Sequence, residues 1–262
     1  MNKPYYLSMA ILGSCLLPAV NCYAGSMGPS TPVWDGPYLG GYIGGAWANS
    51  DITTNSGPAI PGVTYFVADV NVNSVNQSGS GTVKSRVFIG GVQAGNNWTA
   101  NSLLYGVALD FGSFSFNKNI AANNVPFPTV PTFTYSTITS ANTDWLFTAR
   151  ARLGYLVDSS RFLLYGTGGV ALTDLQVENS YSDLNITRTS NKKTNKVGWT
   201  AGAGAELFVT QNLTLNAEYL FVDFNKVATS FTLSPIGLGV STVNTSANLT
   251  ANLFRVGLNY KF

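Results

Sequence analysis

Six charged residues sit in the middle of stretches that otherwise alternate like strands, and all six fall on the face opposite a nearby aromatic ring, whereas Arg86 and Asp223, nearer the strand ends, share the parity of Phe88 and Phe221. Asp110 is five residues from Tyr105, and Arg150 and Arg152 are five and seven from Trp145. Glu206 is seven from Trp199, Glu218 is one from Tyr219, and Arg255 is seven from Phe262. Successive side chains of a strand point to opposite faces, so every odd separation puts charge and ring on opposite sides. Six independent charges would do this by chance about once in 64, given a strict period of two. A sheet with rings on one face and charges on the other is suited to lipid outside and a polar interior.

Eight such stretches occur, at roughly Tyr38–Asn49, Arg86–Trp98, Leu103–Phe116, Asp144–Val157, Phe162–Val177, Val197–Val209, Leu213–Phe224 and Ala251–Phe262. Each is at least the ~9–11 residues that a tilted strand needs to cross a membrane. The connections alternate. "TANS" (99–102), "DSSR" (158–161) and "TQN" (210–212) are tight turns, whereas Ser50–Ser85, Asn117–Thr143, Glu178–Lys196 and Asn225–Thr250 are long and rich in Asn, Ser, Thr, Pro and Gly. Long loops on one side and short turns on the other predict an all-β fold, an eight-stranded antiparallel up-and-down transmembrane β-barrel. Trp47, Phe88, Trp145, Trp199 and Phe221 then mark the loop side, and Trp98, Tyr105, Tyr155, Tyr260 and Phe262 the turn side. Rings with one wet end favour both interfaces. The last stretch, "LFRVGLNYKF", is expected to pair with the first, because an open sheet edge cannot be satisfied by lipid.

Residues 1–24 have the order of a secretory signal peptide: Lys3, an apolar run, and small residues before a cut after Ala24. "LGSC" (12–15) is a weaker lipoprotein-like alternative. Residues 25–37 form a short lead, and 38–262 the barrel. Both cysteines, Cys15 and Cys22, lie in the signal, so the mature chain is expected to hold no disulfide. The net charge of +2 and the lack of a basic stripe speak against nucleic acid. There is no histidine, which removes the usual general base and the commonest metal ligand. No catalytic residue, cofactor or metal is expected. "GTGG" (166–169) and "GAG" (202–204) lie inside alternating strands with no helix after them, unlike phosphate-cradling loops.

Taken together, "WDGPYLGGYIGGAW" (34–47), "GGVQAGNNW" (90–98), "YGVALDFG" (105–112), "ARARLGYL" (149–156), "LLYGTGGVAL" (163–172), "GWTAGAGAELF" (198–208), "LNAEYLFVDF" (215–224) and "FRVGLNYKF" (254–262) resemble the opacity-protein-like outer-membrane β-barrels of Gram-negative bacteria. The resemblance covers all eight strands. It implies export to the outer membrane, both termini in the periplasm, and a role in envelope integrity or adhesion through extracellular loops. It also implies that Tyr260 and Phe262 act as an assembly signal read by the barrel insertion machinery. No peptidoglycan-binding domain follows the barrel, so a wall-tethering role is not expected.

Within the barrel, Asp110 is expected to pair with Arg150 and Arg152, and Glu218 with Arg255, while Glu206 reaches across. Three charges of each sign would balance and plug the lumen. Arg188, Lys192, Lys193 and Lys196 fall within the third long loop. They form either a solvated loop or a contact for anions, namely lipopolysaccharide phosphates or a host surface glycan. The expected partners are outer-membrane lipid and lipopolysaccharide, the insertion machinery and a host ligand. The alternative function is a diffusion pore for small solutes, which eight strands scarcely leave room for. A lipocalin-like carrier would need an apolar interior instead.

Overall fold

Strand pairing continues far beyond the stretches that the apolar pattern marks. The computed structural model describes residues 33–157, 161–235 and 237–262; the signal peptide and most of the lead lie outside them. The strands are β1 (Gly36–Asn55), β2 (Gly81–Ala100), β3 (Leu103–Phe127), β4 (Val130–Val157), β5 (Phe162–Asp183), β6 (Thr187–Phe208), β7 (Leu213–Leu233) and β8 (Ser241–Lys261). Each pairs antiparallel with its neighbours in chain order, and β1 pairs with β8 to close the barrel. The closing register runs from Tyr38↔Lys261 to Asn55↔Asn244.

The polar segments expected as long loops are therefore largely strand. β3 and β4 meet across a short turn at Phe127–Val130, and β5 and β6 across 184–186. Their alternation is hard to see because the interior there carries Thr137, Thr139, Thr143, Thr173, Thr229 and Thr245, so polar residues occupy both faces. The connection between β1 and β2 contains one helix, α1 (Asp69–Ser78). Val72 and Val75 bury its inner side, and Asp69 in its first turn complements the helix dipole.

The outward face between the two aromatic levels is apolar. Ile43, Val92, Leu109, Leu153, Leu164 and Leu258 all stand exposed, Leu153 at 64%. A continuous exposed apolar band is untenable in water and is what a bilayer requires. Rings border it at both ends. Trp98 stacks on Tyr105 at 5.8 Å at the turn end, and Trp199 meets Phe221 at 5.2 Å at the loop end.

Just beyond the loop-end rings the wall changes. The ladders slip register between Ser113 and Phe116, between Asn142 and Phe147, and between Asp223 and Lys226. Each slip is a bulge that turns the following residues over. In β7 the buried set is even-numbered as far as Phe224 and odd-numbered from Val227 onward. The β2–β3 ladder also stops, at Gly90↔Ser113, and the β6–β7 ladder at Trp199↔Asp223, although all four strands continue. The wall then divides into two four-stranded sheets, β7-β8-β1-β2 and β3-β4-β5-β6, with seams on opposite sides.

The interior is filled in layers. At the turn end Trp34, Leu104, Leu163, Tyr165 and Phe208 form a small cluster, with Trp34 and Phe208 4.5 Å apart. Charged residues come next. A larger apolar layer above them includes Tyr42, Ile89, Phe114, Phe116, Leu220 and Phe224. At the loop end Val72 and Val75 of α1 pack with Phe66, Tyr135, Tyr181 and Leu233.

Candidate functional site

The charged layer depends on glycines that bring strands and side chains close. A Cβ at Gly44 on β1 would come within 2.1 Å of the Phe254 carbonyl, beside Arg255. One at Gly112 on β3 would lie 2.3 Å from the Tyr42 hydroxyl. These positions face inward, so a larger residue would displace the groups that build the site.

Asp110, Arg150, Glu218 and Arg255 form a closed ring of alternating charge. Arg150 Nη2 lies 2.8 Å from Asp110 Oδ2, and Arg150 Nη1 2.7 Å from Glu218 Oε1. Arg255 Nη1 lies 3.0 Å from Asp110 Oδ1, and Arg255 Nη2 2.6 Å from Glu218 Oε2. Each guanidinium meets two carboxylates, and each carboxylate meets two guanidiniums. The ring links β3 and β4 to β7 and β8 through the centre of the barrel. Thr148 donates a further bond to Asp110 at 2.5 Å, and Arg255 lies over the Tyr42 ring at 4.5 Å. All four charged residues are buried. A buried charge is tolerated only with such pairing, and planar guanidiniums suit it.

Arg152 and Glu206 form a separate pair at 2.6 Å, nearer the turn end. Arg152 donates to the Tyr38 hydroxyl at 3.0 Å and lies over the Tyr165 ring at 4.0 Å. Thr214 and Asn259 donate to Glu206 Oε1 at 2.6 and 3.1 Å. Glu206 thus reaches past β5 to β4, the next strand but one. Asp110 meets Arg150 but also Arg255, and none of its ion pairs is with Arg152. The space left among Tyr38, Gln93, Arg150, Arg152 and Tyr165 is about 10 Å³, no more than one water needs.

A seventh charge joins the six. Lys261 is buried, donates to the Trp34 carbonyl at 2.9 Å and lies 5.3 Å from that ring's centre. The lumen therefore carries one more cation than the balanced tally assumed. Its even separation from Arg255 on β8 was a legible sign of its facing. Tyr38, Tyr42 and Tyr165 were missed because a tyrosine's place, girdle or lumen, follows from parity and not from type. Tyr260 and Phe262 point outward at the turn-end rim, 5.2 Å apart.

At the loop end, Arg188, Lys192, Lys193 and Lys196 lie on β6, not in a loop. Lys192 Nζ donates to the Ala228 carbonyl at 3.0 Å, and Lys196 Nζ to the Lys226 carbonyl at 3.3 Å. These two ammonium groups span the β6–β7 seam where the ladder has ended. Lys193 pairs with Asp174 at 3.1 Å while staying largely exposed, and Arg188 bonds its neighbour's carbonyl, that of Thr187, at 3.2 Å.

Asp183, at the end of β5, organises the outermost crown. It accepts from the Tyr65 and Tyr181 hydroxyls at 2.5 and 2.8 Å, and from the Asn185 and Ile186 amides at 2.8 and 3.0 Å. Burial, and then the hydrogen bond to Asp183, raise the Tyr65 phenol above its ordinary value. Beside it opens a cavity of about 290 Å³ lined by Tyr65, Phe66, Phe127, Phe133, Leu184 and Leu238.

A family model of the outer membrane protein β-barrel domain matches residues 23–262. The chain belongs to this family. It is an outer-membrane protein, as its relatives are named. One, the 31 kDa outer-membrane immunogenic protein of Brucella melitensis biotype 1, is 32% identical over 234 residues, covering 87% of this chain and 84% of the relative. The 22 kDa outer membrane protein of Rhizobium leguminosarum bv. viciae is 34% identical over 137 residues, 52% of this chain and 53% of that one. Among solved structures, the outer membrane protein OprG from Pseudomonas aeruginosa aligns with a TM-score of 0.45 at 13% identity, covering 88% of this chain and 99% of that chain.

Proposed function

We propose that this outer-membrane barrel is a non-conducting structural platform that holds its loop end at the cell surface. The observation that carries the reading is the filled lumen. The ion ring crosses the barrel with about 10 Å³ beside it, and an apolar layer seals the next level. Ions cannot pass such layers without breaking buried pairs. The reading sets the loop end outward and the turn end in the periplasm. Envelope integrity and attachment to a surface ligand are then the roles of the protein, with the crown around Asp183 as the ligand face. Catalysis is not among them, since the sequence has no histidine and the charged layer is shut away from solutes. Tyr260 and Phe262 would engage the insertion machinery during assembly, because they stand outward at the rim.

The test is planar-bilayer recording with purified protein. The closed reading expects only rare, brief events. Stable, reproducible channels would overturn it in favour of the diffusion pore. Protease added to intact cells tests orientation separately. Cleavage confined to the loop-end connections, such as 56–68, is expected, and cleavage at the 158–161 turn instead would invert the arrangement.

A further inference from the structure

The cations outside the lumen are unevenly placed. Among the described residues there are nine, and eight lie beyond the loop-end rings; the ninth, Arg161, is at the turn end. They divide between the two seams. Lys84, Arg86 and Lys118 flank the β2–β3 seam, and Arg188, Lys192, Lys193, Lys196 and Lys226 the β6–β7 seam. Three carboxylates stand near the second group, Asp174, Glu178 and Asp223, which leaves it cationic.

The arrangement brings Lys192 and Lys196 onto neighbouring β7 carbonyls, and among the described residues neither is in an ion pair. Lys192 and Lys196 share the inward parity of Gly198 and Thr200, but the open seam turns their ammonium groups toward β7. Lys196 sits on the carbonyl of Lys226 itself, so two ammonium groups meet one short length of β7 that carries a third lysine. Carbonyl oxygens take one donor from Lys192 and one from Lys196, and each ammonium has three. The Lys226 side chain has no bond or ion pair among the described residues. Donors remain for an external anion.

Depth identifies the anion. Lys196 is three residues beyond Trp199, roughly 10 Å along a strand and less along the membrane normal because strands tilt. Arg86 stands directly beside Trp47 in the β1–β2 ladder, with Phe88 exposed below it. Cations just above the ring level, and apolar side chains just below, match a headgroup phosphate with acyl chains beneath it.

We infer that the two seams bind the phosphates of lipopolysaccharide in the surrounding leaflet, with Lys192, Lys196 and Lys226 at the centre of the larger site. This rests on the outward placement of the loop end, but not on the closed lumen. The probe is lipid A in phosphatidylcholine nanodiscs holding the full-length mature barrel, with bound lipid counted by native mass spectrometry. Bisphosphorylated lipid A should be retained over lipid A stripped of both phosphates. Lys193→Gln with Lys226→Gln leaves the seam's backbone contacts intact and should weaken retention about thirtyfold, at roughly a fivefold loss per charge. Lys192→Gln with Lys196→Gln should do the same, and Lys192→Arg with Lys196→Arg should restore it. Equal retention of both lipids, or unchanged retention in the Gln variants, would overturn the inference. So would soluble heparin binding that the Gln variants lose while lipid A retention holds, because the seam would then serve an anionic glycan. Nanodiscs accept the barrel in either orientation, so failure here is separate from failure of the protease test.

Discussion

The membrane-embedded half and the loop-end half of this barrel are built from the same strands but held by different means. Near the membrane every strand pairs on both edges, and charges meet only inside, in the ring of Asp110, Arg150, Glu218 and Arg255. Beyond the rings, two ladders stop, the interior turns to Thr, Asn and apolar side chains, and lysine ammonium groups span the gap. Lipid explains the difference. Unsatisfied backbone groups are costly in a bilayer and cheap in water, so the seams open only where water can reach them. Ion pairs play opposite parts. In the lumen they fill a space from which water is excluded, whereas the loop-end pair of Lys193 with Asp174 is exposed and contributes little on its own.

The sharpest contrast comes from breaking one member of each kind of contact. Glu218→Ala leaves two buried guanidiniums with one carboxylate between them and should destabilise the barrel by roughly 3–5 kcal/mol in urea unfolding from lipid vesicles. Glu206→Ala should fall in the same range, whereas Glu206→Met with Arg152→Met should cost much less, because no charge is stranded. A near-zero effect of Glu218→Ala would mean that water enters the lumen. Asp183→Ala should act only on the crown. It removes an acceptor from two hydroxyls and two amides, a loss of about 2 kcal/mol, seen as faster proteolysis at 184–186 with unfolding of the membrane half unchanged. Lys192→Met with Lys196→Met should have the smallest effect, below about 1 kcal/mol, since both contacts are exposed. If this last pair matched Glu218→Ala, the two halves would not differ in the way described.

The membrane half was legible because lipid imposes a strict contrast. Rings and aliphatic residues at one parity and Asp110, Arg150 and Arg255 at the other identify both the strands and their facing. The loop-end half was obscured for two reasons. Runs such as "TFTYSTITS" (132–140) put hydroxyls inside and outside alike, which resembles loop composition. Bulges near Trp145 and Asn225 then reverse parity, so a pattern followed upward from the membrane loses its phase. The pairing of Asp110 with Arg255 was out of reach for another reason. Those two residues are 145 positions apart on strands that are not neighbours, and only closure of the barrel brings them together.

Amide hydrogen exchange on the barrel in nanodiscs, resolved residue by residue along β6, tests the contrast between the halves most directly. Residues 199–208 pair with strands on both sides and should exchange slowly throughout. Residues 187–198 pair only with β5, so alternate amides there should exchange faster by orders of magnitude. Uniform slow exchange from 187 to 208 would contradict the seam and return the wall to a single closed cylinder along its full height.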